Sequence, residues 1–168
     1  MNSDMSIEKI YQENWKKVYN YAYGIFMQRE TAEDLAAEVF LLVMEHLDSF
    51  EPGKGTMGAW IGSIAHNKVR DFLKKAYRNR ETCVESLPEI PIYDAISDEK
   101  WGGLRCLENR RAIHILRQLS EEERCFLEFR YGLELNNEEI GRIIGTTANA
   151  VSHRYTRLME KCRKLDGQ

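Results

Sequence analysis

Two runs of basic side chains are the first residues in this chain that could do chemistry. "HNKVRDFLKKAYR", residues 66–78, carries Lys68, Arg70, Lys74, Lys75 and Arg78 against Asp71 alone. "IGRIIGTTANAVSHRYTRLMEKCRKL", residues 140–165, carries six Lys or Arg against Glu160 alone. Cations clustered in this way are the electrostatic footprint of a phosphate backbone. Between the two runs, residues 81–99 hold six acidic side chains and no basic one. The net charge of −3 therefore conceals two basic patches and an acidic connector, and does not argue against a nucleic-acid partner.

Other chemistry has little support. His46, His66, His114 and His153 are dispersed, and none stands in a nucleophile–base arrangement. Glu33, Asp34 and Glu38 share a short segment, but no histidine joins them at ligand spacing, so a solvated or partner-facing helix side is expected there rather than a metal site. Cys83, Cys106, Cys125 and Cys162 are at least nineteen positions apart, a spacing that fits neither a zinc knuckle nor a CxxC redox pair. No apolar run approaches the roughly 20 residues a membrane span needs. The first residues, "MNSDMSIEKIYQENWKK", lack the basic-then-apolar order of a secretory signal. The expectation is a cytoplasmic protein with reduced thiols, no cofactor, no metal and no catalysis of its own.

The elements that must position the basic runs read almost entirely as helix. Ile7, Ile10, Tyr11, Val18, Tyr19, Ala22 and Phe26 recur at three- and four-residue spacing. Thr31 is placed to cap a second helix, whose broad apolar face is Leu35, Ala36, Val39, Phe40, Val43 and Leu47. "EPGKG" breaks the pattern, and Thr56 can cap a third helix to about Arg78. That helix has Trp60, Ile61, Ile64, Ala65, Phe72 and Leu73 on one side, and Ser63, Asn67, Arg70, Lys74 and Tyr77 on the other. Residues 81–105, with Pro88, Pro91 and Gly102-Gly103, read as a linker, with a short helix around Asp94–Lys100. A second helical unit follows. Ala112, Ile113, Leu116 and Leu119 form a stripe, Ser120 to Glu123 and Asn136 to Glu139 are capping boxes, and Gly132 is a helix stop.

The C-terminal run is a helix–turn–helix pattern. Gly145 supplies left-handed geometry and Thr147 a cap. Val151, Tyr155, Leu158, Cys162 and Leu165 make a core seam, leaving Asn149, Ser152, His153, Thr156, Arg157 and Lys161 outward. Short polar residues early and cations later suit a helix whose N-terminal half reaches base edges while later residues meet phosphates. In the first half, cations stand beside Trp60, Phe72 and Tyr77, a combination that suits single-stranded bases; the spacing of Trp60 and Phe72 equally suits core residues.

"TAEDLAAEVFLLVMEHLDSFEPGKGTMGAWIGSIAHNKVRDFLKK" resembles region 2 of bacterial sigma factors of the extracytoplasmic-function group of the sigma-70 family. "LSEEERCFLEFRYGLELNNEEIGRIIGTTANAVSHRYTRLMEKCRKL" resembles their region 4. The resemblance implies an all-α chain of two small helical domains, residues 1–80 and 106–168, joined by the acidic linker 81–105. It implies a dissociable initiation subunit of bacterial RNA polymerase. Asp34, Glu38, Leu41, Leu42 and Glu45 would face the clamp helices of the largest polymerase subunit. Glu51, Lys54 and Thr56 in the loop, with Ser63, His66, Asn67, Arg70 and Lys74 on the helix, would read and open the minus-ten element. Thr147, Asn149, Ser152, His153, Arg154, Arg157 and Lys161 would read the minus-thirty-five element.

The family also implies contact with the flap of the second large subunit, an anti-sigma factor as a partner, and a monomer when free. The chain departs from the family's pattern in four places. Ala37 stands where Gln is common, Gly62 and Ser63 where an aromatic and an arginine are common, and His153 where a small serine is common. A stand-alone helix–turn–helix regulator and a sigma-like polymerase adaptor are the alternative readings.

Overall fold

This computed structural model describes residues 6–82 and 106–167. The described residues are helical throughout, apart from short turns. Helix α1 spans Ile7–Phe26, and Ser6 caps it by accepting from the Lys9 amide at 3.1 Å. It ends at Met27, whose left-handed φ of 55° redirects the chain. Helix α2 spans Arg29–His46. Its cap position is Gln28 and not the expected Thr31, because the turn at Met27 is so tight that Arg29 is already helical. Thr31 lies within the first turn and donates to Gln28 Oε1 at 3.0 Å. As the periodicity predicts, α2 buries Leu35, Ala36, Val39, Phe40 and Val43.

A 3-10 turn at Pro52–Lys54 leads to Thr56, which caps helix α3 (Met57–Thr82) by accepting from the Ala59 amide. No glycine or proline follows Arg78 within the helix, and α3 runs four residues past the expected end. Residues 81 and 82 of the expected linker are therefore helical. The rest of that linker, with the short helix expected around Asp94–Lys100, lies outside the described residues.

Helix α4 spans Cys106–Gln118, α5 Glu121–Tyr131, α6 Asn137–Ile144 and α7 Ala148–Asp166. Both expected capping boxes form, Ser120 with Glu123 and Asn136 with Glu139. Gly132 ends α5 in a right-handed conformation, and the left-handed residue comes two positions later, at Glu134 (φ 57°). Gly145 does adopt the left-handed geometry expected of it (φ 77°), and Thr147 caps α7.

The two helical units share one continuous apolar core. α5 packs against α1, and α6 against α3. Tyr21 of α1 is fully buried against Phe129 of α5, with ring centroids 5.5 Å apart. Arg124 of α5 donates to the carbonyl of Ile25 at the end of α1, and to those of Leu116 and Leu119 at the end of α4, at 2.8–3.2 Å. A cation at two helix C-termini answers both the unpaired carbonyls and the negative dipole ends.

Candidate nucleic-acid interface

The face of α7 is set by what its other face buries. Val151, Tyr155, Leu158 and Cys162 point into the core, and the Tyr155 hydroxyl donates to the Phe126 carbonyl. Asn149, Ser152, His153, Thr156 and Arg157 are thereby left exposed on one side, beginning at the capped turn. Thr147 belongs to that turn, its hydroxyl accepting from the Ala150 amide at 3.1 Å. Two other expected contacts already have partners. The Arg154 guanidinium lies over the Phe126 ring and 3.0 Å from Glu122. Lys161 donates to both carboxylate oxygens of Glu123, at 2.7 and 2.9 Å. Arg157, with no such partner among the described residues, is the cation best presented to a phosphate.

On the first unit, residues 49–63 surround a cavity of about 370 Å³ between the Pro52–Lys54 turn and the start of α3. Phe50 and Trp60 form its aromatic wall, with ring centroids 5.4 Å apart. Glu51 and Lys54 pair across the turn at 2.9 Å. Along α3, Asn67, Arg70 and Lys74 are exposed. Phe72, expected in the core, is 40% exposed and meets Phe26 edge-on.

Three expected contacts on this side are turned inward or engaged. The Ser63 hydroxyl donates back to the Trp60 carbonyl at 2.7 Å. Thr56 donates to Glu139 of α6 at 2.7 Å. His66 lies 3.2 Å from the Tyr21 hydroxyl and against the Phe129 ring at a tilt, with centroids 5.0 Å apart. Burial, helped by Arg70, lowers its pKa to about 4, so it is a neutral imidazole at pH 7.

The third surface is the outer side of α2. Asp34, Glu38, Leu41 and Glu45 follow one another at helical spacing and are exposed, and Leu42 is half-buried beside them. Glu38 is held by Lys68 of α3 at 2.6 Å. Next to this row, Ile7, Tyr11, Trp15, Ala37, Leu41 and Met44 line an apolar groove of about 380 Å³. Ala37 stands in the groove wall, so its small side chain widens the groove. Sequence reading missed the groove. Its signal was the aromatic pair Tyr11 and Trp15 at i, i+4 opposite Leu41 and Met44, two apolar residues that the α2 core stripe leaves out.

Another residue missed in sequence is Glu128. It lies between α5 and α1, where a Cβ added to Gly24 would sit 2.2 Å from its carboxyl carbon. Burial alone raises its pKa to about 7.

Comparison with known proteins covers both units. The family model described as "Sigma-70 region 2" matches residues 10–79, and "Sigma-70, region 4" matches residues 115–164, together more than half of the chain. The ECF RNA polymerase sigma factor BldN of Streptomyces coelicolor is 26% identical over 158 residues, 94% of this chain and 59% of that protein. The chain thus spans less than two thirds of BldN. The RNA polymerase sigma factor YlaC of Bacillus subtilis is 24% identical over 88% of this chain and 84% of its own length. A solved structure of the sigma factor RpoE from Bartonella quintana, in complex with the anti-sigma factor NepR, has the same fold, with a TM-score of 0.73 at 18% identity over 94% of each chain.

Proposed function

The chain belongs to the sigma-70 family of RNA polymerase sigma factors, in its extracytoplasmic-function group, and on that premise we propose that it binds core RNA polymerase and directs promoter-specific initiation through three separate surfaces. The observation that carries the reading is the exposed row of α7. Polar Asn149, Ser152 and His153 lead from a capped turn to Arg157, in the order a major-groove helix needs. These residues, with Thr147, Arg154 and Lys161, read the minus-thirty-five element. His153, larger than the serine common there, shifts the preferred base.

The loop Glu51–Thr56 and the α3 row of Asn67, Arg70 and Lys74 read and open the minus-ten element. The cavity beside Phe50 and Trp60 has the aromatic walls on which an extruded base can stack. Ser63 and His66 join that surface only after turning outward. The α2 row of Asp34, Glu38, Leu41, Leu42 and Glu45 meets the clamp helices of the largest subunit. The neighbouring apolar groove extends that contact and offsets the hydrogen bond that Ala37 cannot make. Residues 1–80 and 106–168 act as the two working domains, with 81–105 between them. The flap of the second large subunit and an anti-sigma factor are further partners, and the cytoplasm is the site of action.

The test is transcription with purified chain, bacterial core polymerase lacking its own sigma, and a library of genomic promoter fragments. Discrete transcripts that depend on the chain are expected. Their absence, with tight unaided binding to a duplex fragment, would overturn the reading in favour of a stand-alone regulator. Their absence with stable co-elution would favour an adaptor.

A further inference from the structure

We infer that the cleft between α3, α5 and α7 binds a nucleotide, with its phosphates bridging Arg70 and Arg157 and its base on Tyr77. That the bound nucleotide and promoter DNA exclude each other rests on the sigma-factor reading above, which gives both arginines to DNA. The binding itself rests on the geometry that follows.

The cleft has a volume of about 690 Å³, within the ~300–1,000 Å³ that holds small ligands. Three guanidiniums line it, Arg70 from α3 and Arg154 and Arg157 from α7, together with Glu121 and Glu122 from the start of α5. The two carboxylates are engaged. Glu122 holds Arg154 at 3.0 Å, and Glu121 accepts from the Tyr77 hydroxyl at 2.7 Å. Arg70 and Arg157 have no carboxylate partner among the described residues. Like charges on walls from two different helices repel across the cleft, and an anion between them replaces that repulsion with attraction. Each guanidinium can also offer a planar pair of donors to a phosphate.

His66 lines the same cleft and adds a neutral donor. Its Nδ1 is the acceptor for the buried Tyr21 hydroxyl, so the ring proton of the neutral imidazole sits on Nε2. The rest of the wall is apolar. Leu73, Ile144 and Tyr77 line it, and the Tyr77 ring, 54% exposed, has a face to give to a base. Cations and an aromatic surface in one small cavity match the two halves of a nucleotide; an inorganic phosphate would use only the first. The nucleotide needs both arginines in one cleft, and promoter reading needs them at separate elements, so each state disfavours the other.

Calorimetric titration of the full-length chain with ATP, GTP and tripolyphosphate tests the binding. One nucleotide per chain should bind saturably, at least about tenfold tighter than tripolyphosphate. Arg70→Gln and Arg157→Gln, both at exposed positions, should each lower nucleotide affinity at least about tenfold. Arg111→Gln removes the same charge outside the cleft, where Arg111 pairs with Asp166, and should leave affinity unchanged. Tyr77→Leu should weaken the nucleotides and spare tripolyphosphate. Absence of saturable binding by either nucleotide at millimolar concentration would overturn the proposal. So would equal losses in Arg111→Gln and Arg157→Gln, which would mean diffuse charge attraction, or tripolyphosphate binding as tightly as the nucleotides.

Photolabelling with 8-azido-ATP tests the exclusion. The label should enter this chain's peptide containing Tyr77 in the free protein, and should be lost from it when core polymerase and promoter DNA are added. Undiminished label in a chain that is directing transcription would overturn the exclusion. Absence of transcription with normal nucleotide binding would count against the sigma-factor reading instead, because the titrations use neither polymerase nor DNA.

Discussion

Replacing Glu128 by Gln should stabilise the protein at alkaline pH and much less at acid pH. The carboxyl lies between α5 and α1, and no ion pair reaches it among the described residues. Tyr21 faces it from α1 and Tyr155 from α7, both held neutral by burial, while Arg124 and Cys125 stand on its own helix. Its pKa of about 7 against an ordinary 4.5 means the folded form holds the proton more tightly than the exposed form. The stability this contributes is fully present below pH 4.5 and is lost as pH rises through 7. The loss approaches ~3 kcal/mol, at about 1.4 kcal/mol per unit. Gln is neutral throughout and escapes it.

At pH 8.5 the variant should therefore melt about 6–12 °C above wild type, at roughly 2–4 °C per kcal/mol for a chain of this size. At pH 5 most of that gap should close. His66 titrates in the opposite sense, since its lowered pKa makes stability fall as pH drops through 6.5 toward 4. It does so in both proteins, so the difference between them isolates Glu128. Thermal unfolding followed by circular dichroism at the two pH values is the assay. An equal gap at both, or a less stable variant at pH 8.5, would refute the burial argument.

Four further outcomes are expected. Glu38→Lys should lower affinity for core polymerase at least about tenfold by opposing charge at a complementary surface and repelling Lys68; competition binding against the wild-type chain measures it. Arg157→Ala should reduce the slope of log affinity against log salt by about one on minus-thirty-five duplex bound by holoenzyme, as loss of one phosphate contact requires. Asn67→Ala should leave polymerase binding unchanged and reduce the permanganate reactivity of melted thymines. Arg124→Ala should cost about 2–3 kcal/mol in denaturant unfolding, because the carbonyls of Ile25, Leu116 and Leu119 lose a charged donor together.

The features legible in the sequence were those whose cause lies within a few residues. Ser120 and Glu123, Asn136 and Glu139, Gly145 and Thr147 act across three positions or fewer, and each does what local chemistry predicts. The outward row of α7 was legible for the same reason, since a clean core seam fixes the opposite face. Thr31 failed as a cap because the deciding residue was Met27, a left-handed position that neither glycine nor asparagine announced.

What the sequence did not disclose was the pairing of distant residues. Thr56 meets Glu139 across 83 positions, Arg124 meets Ile25 across 99, and His66 meets Tyr21 across 45. No periodicity in either partner specifies the other. Gly62 stands between these cases. Its absence of a side chain was visible as a departure from the family's pattern, and nothing near it in the sequence gave a reason. Its reason lies in Leu133, Leu135 and Ile143, more than seventy residues downstream, which occupy the space a side chain would need.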